Sequence, residues 1–224
     1  MRTVPFKKST RKLIPYLDKP EVEALLAVPD CTTELGRRNY ALLLFLYNSG
    51  ARASEAANLC GVDLNLGPAS HTGASVRILG KGGKIRRCPL WQKTAAELAQ
   101  IVDGRLANEH VFINQRRQPL TRFGVYGVLR ACVGQASVSV TSLRSKRISP
   151  HTIRHSTATH LLRAGVDLNT IRSWLGHVSL DTTQVYAEID LEMKARALEK
   201  CSTADVKKPT VASDGALMAF LRAI

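Results

Sequence analysis

The apolar run Ala41-Leu42-Leu43-Leu44-Phe45-Leu46-Tyr47 constrains this chain more than any other stretch. Crossing a bilayer takes about 20 consecutive apolar residues, so a run this short does not span one. It reads instead as a helix buried within protein, extending from Leu35 to Ser49 and closed by Gly50, which accepts the left-handed turn that ends a helix. Tyr40 and Tyr47 on this helix are expected to be core residues. The longest apolar stretch being this one, no membrane partner is expected. The opening MRTVPFKKSTRK is basic with no apolar segment behind it, so it lacks the pattern of a secretory signal.

Other elements follow from local punctuation. Pro20 sits at the first turn of a helix whose Glu21 and Glu23 lie near the positive end of its dipole. A second short helix carries Arg52 to Glu55. Two β-prone runs, residues 74–79 and 85–90, flank Gly80-Lys81-Gly82-Gly83-Lys84 and predict a hairpin. The GxxxxGK[ST] pattern is missing there, so this is not a phosphate-binding loop. Helices are predicted at 91–106 and 121–134, and a polar, basic loop at 138–149. Pro150 opens a helix that Gly165 stops, and Asp167 caps another that ends at Gly176. Residues 180–186 form a short helix or turn, and 188–200 a charged amphipathic helix. The expected fold class is mainly α with one small antiparallel β-sheet. Residues 1–19 are expected to be a basic arm or linker, 20–200 the principal domain, and 201–224 a linker and short apolar tail.

Charge narrows the function. The formal net charge is +14 and the isoelectric point about 10.0, which point to a polyanionic partner, with nucleic acid first. The five scattered cysteines form no CxxC pair, which excludes zinc ribbons and dithiol redox motifs and suits a reducing cytosol.

The chemistry concentrates in a few residues. His151 and Arg154, three apart on one helix, project from the same face. His155 lies four residues from His151, but the glutamate of HExxH is absent and no thiol stands at a useful spacing, so no metal is expected. His155 and His160 are assigned to packing. His177 follows Gly176, and nine residues of turn and short helix separate it from Tyr186. A phenol has a pKa near 10 and needs a base or a cationic site to act as a nucleophile; Tyr186 is the tyrosine with both nearby in sequence. Arg52 follows Gly50, with Glu55 one turn later, and Lys81 sits on the glycine-rich turn.

In this order Ala51-Arg52-Ala53-Ser54-Glu55, Gly80-Lys81-Gly82-Gly83-Lys84, Pro150-His151-Thr152-Ile153-Arg154-His155, Leu175-Gly176-His177 and Thr183-Gln184-Val185-Tyr186 resemble the tyrosine recombinases, or phage integrase family. The resemblance implies the fold of a DNA breaking-rejoining catalytic domain. It implies that Arg52 and Arg154 clamp the scissile phosphate, His177 adds a hydrogen bond, His151 helps deprotonate Tyr186, and Lys81 protonates the leaving 5′ oxygen. Tyr186 would become joined to the 3′ phosphate, without cofactor, metal or ATP, and Glu55 would support its neighbours. Lys84, Arg86, Arg144, Lys146 and Arg147 are expected to contact DNA, and Arg2, Lys7, Lys8, Arg11 and Lys12 to add non-specific phosphate contacts. The partner implied is double-stranded DNA, bound by a dimer to tetramer of this chain, with the tail from Ala216 to Ile224 as a docking segment, in the cytoplasm on the nucleoid. Members usually carry a further helical domain ahead of the catalytic one, whereas about 20 residues precede it here, so a weaker grip on DNA is expected. A non-catalytic DNA-binding module of the same fold and a type IB topoisomerase remain the alternative readings.

Overall fold

The computed structural model describes residues 15–67 and 73–176. These fall within the first of the two units into which the chain divides, Met1–Ile189, and the second, Asp190–Ile224, lies outside the described residues. The elements in order are α1 (Lys19–Leu26), α2 (Glu34–Ser49), α3 (Ala53–Ala57), β1 (Leu64–Asn65), β2 (Ser75–Leu79), β3 (Ile85–Pro89), α4 (Gln92–Val102), α5 (Arg122–Ser139), α6 (Pro150–Arg163) and α7 (Leu168–Leu175). The strands form one antiparallel sheet in the order β1-β2-β3. The mainly α class with a small antiparallel sheet is what the sequence led us to expect.

Helix α2 is the centre of the packing. Ala41, Leu42, Leu43, Leu44, Phe45 and Leu46 are each at most 4% exposed, and α2 lies against α1, α3, α4, α5 and α6. Burying each large aliphatic side chain contributes about 1.5–3 kcal/mol, so this run holds much of the core free energy. Tyr47 is only half-buried: its hydroxyl lies 2.7 Å from His160 Nδ1 and its ring meets Trp91 edge-on. The hydroxyl satisfies the half-buried imidazole, in agreement with a packing role for His160.

The C-terminal end of α2 is tied on several sides. Asn48 is fully buried; its Nδ2 donates to the Pro89 carbonyl at 3.2 Å, and its Oδ1 accepts from the Trp91 amide at 2.8 Å. Its own carbonyl accepts from Trp174 Nε1 at 3.0 Å. Thr157 Oγ1 donates to the Tyr47 carbonyl at 2.7 Å. One amide side chain and two neighbours thereby fix α2 to the β3–α4 connection, to α6 and to α7.

Local details depart from expectation in three places. Helix α1 begins at Lys19, because Asp18 and Glu21 form a reciprocal capping box. Helix α5 continues to Ser139, and a single 3₁₀ turn, Thr141–Ser145, follows where a loop was expected, with Leu143 buried beneath it. Strand β1 is two residues long and carries no period that a sequence can display. Among the described residues no helix is long and apolar enough to cross a membrane.

Gly50 closes α2 with φ 57°, and a Cβ built on it would lie 2.3 Å from Leu175 Cδ2. Gly104 has φ 67° but nothing within 4 Å of such a Cβ. Gly104→Ala should therefore cost only the left-handed backbone penalty, about 1 kcal/mol. Gly50→Ala should cost about 2 kcal/mol more, by displacing the buried Leu175. Urea unfolding of both variants measures the difference; equal losses would contradict this packing.

Candidate active site

The corner Gly50-Ala51-Arg52, where α2 turns into α3, is the root of the site. Gly50 donates its amide to the Leu46 carbonyl at 3.0 Å, Ala51 is buried, and Arg52 is the extended residue before α3. Glu55, one turn into α3, accepts the Arg52 amide on Oε2 at 2.9 Å and the Arg52 Nη1 on Oε1 at 2.7 Å. The Arg52 side chain remains 32% exposed while that of Glu55 is 3% exposed. The carboxylate thus holds the arginine from its buried side and leaves part of it facing solvent.

A second guanidinium meets the same carboxylate. Arg86 on β3 donates from Nη2 to Glu55 Oε2 at 2.8 Å and from Nη1 to Oε1 at 3.2 Å, a bidentate fork, and from Nε to the Trp174 carbonyl at 3.0 Å. Burial alone would raise the Glu55 pKa; the hydrogen bond from Arg86, then those from the Arg52 amide and guanidinium, outweigh it and hold the group at about 2.

Arg154 lies in the second turn of α6, which Ser149 caps and Pro150 opens. It is 4% exposed, and it donates from Nη1 to the Gly50 carbonyl at 2.6 Å and from Nη2 to the Leu175 carbonyl. One guanidinium therefore joins the ends of α2 and α7 to α6. His151, one turn earlier on the same face, is exposed. His155 is half-buried, and burial, with His151 and Arg154 adding to it, lowers its pKa and favours the neutral ring.

Lys81 opens the 3₁₀ turn Lys81–Gly83 between β2 and β3. The turn closes through a hydrogen bond from the Gly80 amide to the Lys84 carbonyl at 2.8 Å. A Cβ on Gly80 would lie 3.5 Å from Glu55 Oε1 and 3.6 Å from Arg86 Nη1, so the tip is rooted on the same ion pair. Helix α7 ends in Gly176 at φ 65°, ψ 46°, the residue before His177. His177 and Tyr186 lie outside the described residues, as do the N-terminal basic cluster and the apolar tail. The structure thus brings together the Arg52 and Arg154 guanidiniums, Glu55, the root of the Lys81 tip and the end of α7.

Two residues expected to contact DNA are held by partners within the protein. Arg86 shares the buried face of the sheet with Cys88, opposite Ile78, and its side chain is 9% exposed because its donors serve Glu55 and Trp174. Lys146 is spent on Glu21 at 2.5 Å and on the Tyr16 carbonyl at 3.1 Å, anchoring the entry of α1. Arg144 is exposed but its Nε donates to the Ser137 carbonyl at 2.9 Å. Lys84 and Arg147 are exposed. The sequence reading missed Asn48 and Trp174 as organisers of the site; neither carries a local signal. For Arg86 the signal was present in the period of two along β3. Among the described residues no group of three His, Cys, Asp and Glu side chains is placed to hold a metal ion.

Comparison with known proteins follows the same outline. The sequence profile of the phage integrase family matches residues 15–193. A protein of Sinorhizobium fredii, y4rC, named as an integrase/recombinase, is 40% identical over 223 residues, which is 99% of this chain and 66% of that protein. The tyrosine recombinase XerC of Pelobacter propionicus is 35% identical over 196 residues, 86% of this chain and 61% of that protein. Among solved structures, the XerH site-specific recombinase bound to palindromic difH substrate in a post-cleavage complex superposes with a TM-score of 0.65 at 27% identity, over 84% of this chain and 53% of that one. The chain thus spans less than two thirds of the length of these relatives.

Because Glu55 is ionised in the fold to about pH 2 and has an ordinary value of 4.5 when unfolded, its contribution is complete above pH 4.5 and is lost as pH falls toward 2. That contribution is on the order of 3 kcal/mol. Thermal melts from pH 6 down to about 2 should show Glu55→Gln markedly less stable than wild type near neutrality, with the gap narrowing across this window. A gap independent of pH would contradict the buried ionised carboxylate.

Proposed function

The chain belongs to the phage integrase family, and from that premise we propose that it is a site-specific DNA recombinase that cuts and rejoins strands through a phosphotyrosyl intermediate. The observation that carries this reading is the shared footing of Arg52 and Arg154. One guanidinium follows the Gly50 corner by two residues, and the other is hydrogen-bonded to the Gly50 carbonyl. Two guanidiniums preset by carbonyls and a buried carboxylate suit the non-bridging oxygens of one phosphate, because they need little reorganisation as charge develops.

The proposed roles follow. Arg52 and Arg154 clamp the phosphate, and His177 adds a hydrogen bond. His151, exposed on the first turn of α6, takes the proton of Tyr186 as the phenolate oxygen bonds to phosphorus. Lys81 gives a proton to the departing 5′ oxygen. The 3′-phosphotyrosyl ester conserves the bond energy, so the free 5′ hydroxyl of a second strand can reverse the step without ATP. Glu55 supports Arg52. Residues 20–200 are proposed as the catalytic body and 201–224 as linker and tail, acting as an oligomer on double-stranded DNA in the cytoplasm. Lys84, Arg144 and Arg147 are the proposed backbone contacts, and their contribution should weaken with salt.

A nicked duplex that loses its short 5′ fragment on cleavage traps the intermediate. Wild-type protein should form a covalent adduct on a denaturing gel, unaffected by EDTA and abolished by Tyr186→Phe. Arg154→Ala or Arg52→Ala should slow its formation by about 10²–10³-fold, as loss of a preorganised donor does. Binding without any adduct would instead support a non-catalytic module. Supercoil relaxation without exchanged products would support a topoisomerase.

A further inference from the structure

Arg86 touches three segments that each carry a residue of the proposed site. It lies on β3, the strand that leaves the Lys81 tip. Its fork holds Glu55, whose other contacts are the amide and guanidinium of Arg52. Its Nε holds the Trp174 carbonyl, and a Cβ on Gly176, the residue before His177, would lie 3.0 Å from its Cδ. Its side chain is 9% exposed, and all three of its guanidinium nitrogens have partners within the protein. Glycine at 176 lets the end of α7 close on this side chain, and the backbone of the tip at Gly80 lies in ordinary contact range of it.

We propose that Arg86 is a positioning residue that locks the Lys81 tip and the Gly176 end of α7 to the Arg52 guanidinium, so that phosphate clamping and leaving-group protonation address the same phosphorus. This rests on the cleavage reading above. A planar fork reaches two carboxylate oxygens and a carbonyl at once, which a lysine ammonium does not reproduce. The step it serves is balanced as follows. The Tyr186 oxygen forms a bond to phosphorus and its proton passes to His151. The bond from phosphorus to O5′ breaks, and the electron pair on O5′ takes the Lys81 proton. If the tip drifts, attack proceeds but O5′ leaves unprotonated.

The test compares the natural 5′ oxygen with a bridging 5′ sulfur at the scissile position, since a thiolate leaves without a proton. Single-turnover adduct formation is measured for the full chain as wild type, Lys81→Ala, Arg86→Lys and Arg154→Ala. Lys81→Ala and Arg86→Lys should each lose about a hundredfold on the oxygen substrate, the usual worth of a general acid, and recover to near the wild-type rate on sulfur. Arg154→Ala should remain slow on both. If Arg86→Lys fails to fold, Arg86→Gln keeps one donor for Glu55, leaves that carboxylate paired with Arg52, and should show the same recovery on sulfur. Arg86 variants equally slow on both substrates, or unimpaired on oxygen, would overturn the positioning role while leaving the cleavage reading intact. No adduct from the wild type on either substrate would overturn the cleavage reading, and this inference with it.

Discussion

A carboxylate sealed from water between two guanidiniums is the constraint on which the site depends. Glu55 would be costly to bury alone, and its ionised state exists because Arg86 and Arg52 surround it. The three charges fix a distance that neither the hairpin nor the α2–α3 corner would keep unaided. Arg86 is buried with the carboxylate, whereas Arg52 is partly exposed, so the fixed net charge is presented at one place. A positive group held in this way is already oriented for an anion before the anion arrives.

Arg154 adds a second clasp at the same corner. Its hydrogen bonds to the Gly50 and Leu175 carbonyls bring together the ends of α2 and α7, and the Gly50 contact alone spans 104 residues of sequence. Asn48 and Trp174 reinforce the junction from beneath. The core helix α2 therefore does two jobs with one geometry. Its middle fills the interior, and its last turn offers carbonyls to the side chains that come from α6 and α7. Gly50 connects the two, since a side chain there would meet Leu175.

Much of this was legible beforehand, and the reasons differ by element. The buried helix followed from seven apolar residues and a terminal glycine, and α6 and α7 from Pro150, Asp167 and two stop glycines. The pairing of Arg52 with Glu55 is local, three residues apart, and so was visible. The hairpin was visible but its facing was not used: Arg86 alternates with Ile85 and Arg87 and so falls on the Cys88 side. Contacts across the chain left no local trace. Lys146 was assigned to DNA because it stands in a basic run, while its partner Glu21 lies 125 residues away. The roles of His177 and Tyr186 rest on the resemblance and the order of residues, since both lie outside the described residues.

The most direct measurement is a crystal structure of the full chain trapped on a nicked duplex. The account predicts the Tyr186 oxygen bonded to the 3′ phosphorus, with nitrogens of Arg52 and Arg154 about 2.7–3.2 Å from its non-bridging oxygens and Arg86 still forked on Glu55. A phosphate held by Arg86, with Glu55 released, or one bound away from the Gly50 corner, would contradict it.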